Sequence, residues 1–437
     1  MSEVRPLRLA PVSGFPEWLP QVRIVELRWL DHIRSAFERY GFCSIETPAA
    51  EPLEALQAKG ETSQEVYVLQ RLQGEGGDAR LGLHFDLTVP LARYVAQHFN
   101  DLVFPFKRYQ IQKSWRGERP QEGRFREFTQ CDIDVIGSEY VSIHFDAEMP
   151  RILCEVLDGL GVEGYTMHVN NRKVLQGFYE AIGVPDPIDT IQIVDKLDKI
   201  GVGGVEAALR ESGLGDDQVR SCLALAELRA TDSGLADDIA RISPSSNELL
   251  EKGLEELGFV LDQVRDLASE GKVVADLSIA RGLNYYTGTV YEGKLDAFPS
   301  FGTICSGGRY DDLASSFIRR HLPGIGVSIG LTRLFSKMLA EGLIETGPLS
   351  PTKVLVALPS EELRPQAAET AARLRRRGLN VELYHEADKF GRQVRYASRK
   401  RIPYVWFPPT ADGGRHEVKN LDSGDQLEAD PESWAPA

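Results

Sequence analysis

The stretch FKRYQIQKSWRGERPQEGRFREFTQCDIDVIG, residues 106–137, constrains the fold more than any other part of the chain. Both of its ends alternate between apolar and polar residues, the signature of half-buried strands. A loop containing glycines, a proline and dense charge joins them, so the two runs should pair antiparallel across a long connection. On the returning strand Phe128, Gln130, Asp132 and Asp134 then share one face, opposite Cys131, Ile133 and Val135. Polar residues aligned on one face of a strand inside a large sheet either meet solvent or line a pocket. From Lys113 to Arg126 there are five basic and two acidic residues. A guanidinium is a permanent planar fork suited to phosphate oxygens, although a solvated charged face is the plain alternative.

That arginine density stands against a formal net charge of −15 over 437 residues. The acidity is local: residues 173–270 hold nine Lys/Arg and twenty Asp/Glu, a net of −11. Residues 104–126 carry a net of +5, and residues 364–401 a net of +7. The chain is thus polarised, with two basic patches around an acidic middle, and the global balance does not by itself exclude a nucleic-acid partner. Its length implies two or three domains. No apolar run approaches the roughly 18 residues that span a bilayer, and MSEVRPLRLAPVSG lacks a signal-peptide core. Five widely spaced cysteines form no C-x-x-C pair, which argues against a zinc site or a disulfide framework and for a reduced, cytoplasmic setting without a membrane partner.

Along the chain, Leu27, Leu30, Ile33, Phe37 and Tyr40 recur at helical spacing over residues 21–40, and Gly41 closes that helix. FCSIETP reads as a short strand, and RLGLHFDLTVPLARYVAQHF as a strand followed by a helix initiated at Pro90. Strand signals fade from about Lys173 to Gly271, where short helical periods form an insertion. They return in ADLSIARGLNYYTGTVYEG, TICSGGRYDDL and GIGVSIGLTRLFSKML. After the linker ETGPLSPTK, strand VLVALP, helix 361–377, strand NVELYH, helix 388–401 and strand YVWFP imply a small parallel α/β domain. Chemistry concentrates in four places: HFDLT, with Asp86 and Thr88 on one face of a strand; the 113–137 stretch; ARGLNYYTG; and SGGRYDD with GIGVSIGLTR. No P-loop, kinase signature, Ser-His-Asp set or metal-ligand spacing is present.

Together these segments resemble the signature motifs of class II aminoacyl-tRNA synthetases, and within them the histidyl-tRNA synthetase family. Helix 21–40 with GFCSIETP resembles motif 1, KSWRGERPQEGRFREF motif 2 and GIGVSIGLTRL motif 3, while ARGLNYYTGTVYE and SGGRYDDL resemble the two stretches particular to the histidine enzymes. The resemblance runs over nearly the whole chain. It implies an α+β fold: an antiparallel class II sheet flanked by helices, a helical insertion and a C-terminal α/β anticodon-binding domain. The implied divisions are a catalytic core at 1–172 and 271–345, the insertion at 173–270, a linker at 346–351 and the anticodon-binding domain at 352–437. The implied activity is histidine–tRNA ligation through a histidyl-adenylate, with ATP and Mg2+, L-histidine and tRNA(His) as partners and a homodimer built on motif 1.

The same resemblance implies roles for individual residues. Arg116 meets the α-phosphate, Glu118 and Phe128 the adenine, and Arg333 the far phosphates, with Arg124 also among the ATP-binding residues; Arg281 is an extra cation at the α-phosphate and histidine. Asp86, Thr88 and Gln130 fall on the α-amino side of histidine, and Asp134, Tyr286 and Tyr310, with Tyr285 beside them, on the imidazole side. Gln121 and Arg126 correspond to loop residues used on the tRNA acceptor end. Three positions depart from the family pattern. Asn284 stands where Asp is frequent, Thr332 precedes Arg333 where an acid is common, and HFDLT replaces the usual bacterial R-P-E-G-T. The alternatives are a histidine-sensing regulatory paralogue, which usually lacks the tail and loses motif arginines, and a duplicated or resistance synthetase.

Overall fold

In the computed structural model, residues 10–57, 65–71, 80–280, 285–411 and 414–436 are described. The chain divides into two compact units, one running through Pro16 and then Trp29–Leu343, the other Glu17–Arg28 with Ile344 onward.

The first unit is organised by a nine-stranded sheet. Across it lie Cys43–Ser44, Phe106–Trp115, Glu127–Ile136, Gly324–Gly330, Thr303–Tyr310, Thr289–Leu295, Tyr165–Asn171, Val273–Asp276 and Arg229–Ala230. All neighbours are antiparallel except Cys43–Ser44 beside Phe106–Trp115 and Tyr165–Asn171 beside Val273–Asp276. The expected pair is there: Phe106–Trp115 and Glu127–Ile136 form a ten-residue ladder, with Arg108 opposite Asp134 and Gln110 opposite Asp132. Helices Pro20–Arg39, Thr88–Gln97, His144–Gly159 and Leu331–Ala340 accompany the sheet, and Trp29 meets Phe335 edge-on at 5.2 Å.

Residues 172–269 form seven helices and one two-residue strand. Three of the helices start on side-chain caps that the sequence supplies: Asn171 accepts from Lys173 N, Asp186 from Asp189 N and Asn247 from Leu250 N, each at 2.9 Å. Such caps satisfy backbone donors that a helix N-terminus otherwise leaves open.

Two expectations are corrected here. HFDLT is not a strand: the strand is only Leu81–Leu83, and the helix begins at Thr88 rather than Pro90. The Asp86 carboxylate accepts from Val89 N at 3.0 Å, so an Asp-initiated cap, not the proline, sets the start. Asp86 and Thr88 therefore do not share a strand face. The second concerns the C-terminal sheet, which is mixed rather than parallel. Val381–Leu383, Val354–Val356 and Tyr404–Phe407 are parallel, and Glu417–Asn420 and Gln426–Glu428 add an antiparallel hairpin. Helices Arg364–Arg376 and Phe390–Lys400 complete that unit around a core in which Trp406 is fully buried and lies 5.5 Å from Trp434. No described helix is long and apolar enough to cross a membrane.

Candidate active site

A cavity of about 380 Å³ opens where the 106–115 and 127–136 strands meet the loop between them, and Arg116, Glu118, Arg124, Phe128, Gln130 and Arg333 all line it. Six of the expected residues are thereby brought together from segments more than 200 positions apart in sequence. Arg116 is held by its own backbone, whose N–H donates to Arg126 O at 2.9 Å, and by its Nε, which donates to Phe85 O at 3.0 Å. Its guanidinium carbon stands 5.0 Å from the centroid of the Phe128 ring. Arg126 donates from Nε to Glu118 O at 3.2 Å and from its backbone N to Gly14 O at 2.8 Å, which ties the loop to the segment before the first helix. Gln121 is exposed at the loop's tip, in a tight bridge with Arg124. Glu118 and Arg124 are 3.5 Å apart and partly solvated, a pairing worth little in energy.

Arg333 reaches the cavity from the first turn of helix Leu331–Ala340. Phe301, which carried no sequence signal, holds it there: the ring lies 4.6 Å from the guanidinium carbon and the Phe301 carbonyl accepts from Arg333 Nη2. Lys337, one turn further on, lies over the same ring at 5.3 Å and pairs with Glu122 of the loop at 2.8 Å and with Glu341 at 2.7 Å. Gly123 abuts the ring, where an added Cβ would fall 2.6 Å from it. Thr332, the departure from the family pattern, accepts from Thr129 N at 2.8 Å, so its hydroxyl pins the helix start to the 127–136 strand.

Deeper along the same strand face is a slot lined by carboxylates and tyrosines. Gln130 connects the two regions: it lines the cavity and its Nε2 donates to Ser328 Oγ at 3.0 Å. Asp132 and Asp134 are 4% and 6% exposed. Asp134 accepts from the Tyr310 hydroxyl at 2.9 Å and pairs with the fully buried Arg108, whose Nη2 is 2.5 Å away. Tyr285 sits between Tyr286 and Tyr310, with ring centroids 5.2 and 5.1 Å apart. The neighbouring strand places Gly326 opposite Asp134, where a Cβ would come within 2.0 Å of the carboxylate, so glycine there leaves room for that side chain. Asp86 stands at the mouth, half-buried, close enough to act electrostatically on both strand carboxylates. Thr88 is half-buried in the first helical turn beside it. Arg281 and Asn284 lie outside the described residues.

Electrostatics sharpen the picture. Burial pushes Asp134 above the usual carboxylate range, opposed first by Arg108 and then by the Tyr310 hydroxyl. Burial likewise pushes Asp132 up to about 7, and Arg108 is again the main opposing influence. Burial and then the Asp134 charge raise the Tyr285, Tyr286 and Tyr310 hydroxyls, which stay protonated and able to donate at neutral pH. His84 stabilises the approach: its two ring nitrogens face Pro48 O at 3.2 Å and Lys113 O at 2.7 Å, bracing the turn that presents Asp86. Arg108, Asp132, His84 and Phe301 are the site residues that sequence reasoning left unassigned.

A large, mainly antiparallel sheet with helices about it, an arginine-lined cavity at its centre and a separate small sheet domain define a class II aminoacyl-tRNA synthetase architecture. The family model for histidyl-tRNA synthetase matches residues 14–334, and that for the anticodon-binding domain matches residues 353–435. The chain belongs to the histidyl-tRNA synthetase family. It is 62% identical to the histidine–tRNA ligase of Thermobifida fusca, over 99% of this chain and 100% of that one. The histidine–tRNA ligase of Cutibacterium acnes is 47% identical over 98% of this chain and 97% of its own. The crystal structure of histidyl-tRNA synthetase from Nostoc sp. PCC 7120 superposes with a TM-score of 0.88 at 39% identity, covering 97% of each chain. A Bacillus halodurans structure titled ATP phosphoribosyltransferase regulatory subunit/histidyl-tRNA synthetase has a TM-score of 0.76 at 21% identity, over 93% of this chain and 100% of that one, a likeness of fold alone.

Proposed function

We propose that this chain is a histidine–tRNA ligase, and that the continuity of an arginine-lined cavity with a carboxylate–tyrosine slot is what carries the chemistry. In the first step a carboxylate oxygen of histidine attacks the α-phosphorus of ATP. The bond to the bridging oxygen breaks and pyrophosphate leaves with the electron pair, giving histidyl-adenylate. In the second, a ribose hydroxyl at the tRNA 3′ end attacks the adenylate carbonyl and AMP departs. Little covalent work falls to the protein, so positioning and electrostatic stabilisation set the rate.

In this reading Arg116 faces the α-phosphate and Arg124 and Arg333 the outer phosphates, while Glu118 and Phe128 take the adenine. Asp86, Thr88 and Gln130 take the α-ammonium, and Asp134 with Tyr285, Tyr286 and Tyr310 takes the imidazole. Arg281 is proposed as a further cation at the α-phosphate, and Gln121 and Arg126 as contacts for the acceptor end. No described group of three His, Cys, Asp or Glu residues is arranged to hold a metal ion, so Mg2+ is read as entering on the nucleotide's own phosphates, which suits its reluctance to shed water. The basic tail, matched by the anticodon-binding model, is read as the second tRNA contact and the motif 1 segment as the dimer contact. The regulatory alternative is not favoured, because the chain keeps that tail together with Arg116 and Arg333.

The test is ATP–pyrophosphate exchange across the twenty amino acids, followed by charging of a histidine tRNA transcript. Exchange with histidine alone and stable charging are expected. Exchange with a different amino acid, or none, overturns the reading.

A further inference from the structure

Arg108 is an unusual residue for its place. It is fully buried in the second strand of the sheet and is the cross-strand neighbour of Asp134. One nitrogen, Nη2, forms an ion pair with Asp134 Oδ2 at 2.5 Å, yet Nε, Nη1 and Nη2 all lack an aligned hydrogen-bond partner among the described residues. Burying a guanidinium with part of its fork unfilled is costly, and a hydrophobic side chain would pack such a position more cheaply. A residue retained at that cost is expected to act on its neighbour.

That neighbour is the carboxylate at the base of the slot. Its two oxygens are separately engaged, Oδ1 by the Tyr310 hydroxyl at 2.9 Å and Oδ2 by Arg108. Gly326 leaves the room that this carboxylate occupies. The charged and titratable groups facing Asp134 can be named element by element. The 84–87 turn contributes Asp86, its own strand Asp132, the 285–288 segment Tyr285 and Tyr286, the 303–310 strand Tyr310, and the 106–115 strand Arg108. Without Arg108 the described part of the slot would hold three carboxylates and no cation, which would favour a positively charged ring. With it, the Asp134 charge is already balanced from behind.

We infer that Arg108 is the positioning residue that sets which charge form of the ligand ring the slot accepts. It pairs with Asp134 so that the site takes neutral imidazole, one ring N–H donating to Asp134 and the other nitrogen accepting from a tyrosine hydroxyl, and disfavours imidazolium. The inference rests on the reading of this slot as the histidine site.

The experiment compares histidine with 1,2,4-triazolylalanine, whose ring is far less basic and stays neutral from pH 5.5 to 8. For each full-length variant, the KM for histidine and the Ki of the triazole competitor are measured in ATP–pyrophosphate exchange at both pH values. Dividing the histidine ratio (pH 5.5 over pH 8) by the triazole ratio cancels titration of the protein's own groups, Asp86 and Asp132 included. With an imidazole pKa near 6.5, only about a tenth of histidine carries a neutral ring at pH 5.5, so the quotient for the unaltered protein should be about ten. Arg108→Lys, which keeps the cation, should retain most of it. Arg108→Met should bring it to about one or below, as the unbalanced carboxylates come to prefer imidazolium.

A folded Arg108→Met protein with a quotient still near ten overturns the inference. Should that variant not fold, the double variant Arg108→Met/Asp134→Asn removes both charges of the buried pair, an exchange that protein cores tolerate better than loss of one partner. The slot then carries the same net charge as in the unaltered protein, so its quotient should return to near ten, and a value near one would overturn the inference. An unaltered protein with a quotient near one refutes the role of Arg108 and leaves the histidine reading intact. Absence of any histidine-dependent exchange in the unaltered protein refutes both.

Discussion

Phe301→Leu tests how Arg333, proposed above to face the outer phosphates, is held. The Phe301 ring is 8% exposed and has Arg333 on it at 4.6 Å, Lys337 at 5.3 Å and the loop backbone at Gly123 against it. Leucine keeps an apolar side chain of comparable bulk, so the packing cost should stay near 1 kcal/mol. What it removes is the ring face beneath a half-buried guanidinium, an attraction of about 1–2 kcal/mol in such a setting. The hydrogen bond from Arg333 to the Phe301 carbonyl is a backbone contact and survives the substitution. The loss is therefore partial: at 1.36 kcal/mol per tenfold, kcat/KM for ATP should fall about 5- to 30-fold. That is less than the hundredfold or so expected when a preorganised donor such as Arg333 is deleted outright. The assay is pyrophosphate exchange with ATP varied at saturating histidine, then with histidine varied at saturating ATP, with a thermal melt alongside. The deficit should appear against ATP and leave the histidine KM within twofold. If both KM values rise together, or if Phe301→Leu matches the unaltered protein while Arg333→Ala is severely impaired, Phe301 does not position Arg333.

Three further outcomes are expected. Asp146 is fully buried and accepts from Thr289 Oγ1 at 2.6 Å and from Arg309 Nε at 3.0 Å, so Asp146→Asn should leave the largely buried Arg309 guanidinium without its charge partner and destabilise the fold by about 3–5 kcal/mol in urea titration, with a loss below 1 kcal/mol counting against it. Asp132 is pushed up to about 7 in the folded state, so the native protein binds that proton more tightly than the unfolded chain does. Its contribution is present in full below the unfolded carboxylate pKa near 4 and is lost as pH rises through about 7. Asp132→Asn should accordingly gain stability relative to the parent between pH 5 and pH 8, and an unchanged difference in urea midpoints at the two pH values would contradict the assignment. Finally, removing residues 352–437 should impair tRNA charging far more than adenylate formation, and equal loss of both would argue against a tRNA-binding tail.

How far the site could be read in advance depended on whether its geometry is local. The 2-residue period of FTQCDIDVI placed Gln130, Asp132 and Asp134 on one face, and the ladder keeps them there. That period says nothing about what stands across from them. Residues 116–126 form a connection too long for turn type to set register, so the pairing of Arg108 with Asp134, the contact that gives the slot its charge balance, was invisible until the strands were aligned. HFDLT failed for a related reason: a short run cannot announce whether an aspartate continues a strand or caps the next helix, and here the cap at Val89 N won. The hairpin of Glu417–Asn420 and Gln426–Glu428 went unread because its strands are short, polar and at the sheet edge, where no apolar face imposes alternation. Phe301 shows the limit most clearly. It lies in a three-residue turn, 32 positions before Arg333, and its role arises only because the 303–310 and 324–330 strands bring that turn under the start of helix Leu331–Ala340. The residues proposed to meet ligand are thus legible from their chemistry and from resemblance. Those that aim them are set by register and by crossing strands, and Arg108 and Phe301 are where substitution would separate the two.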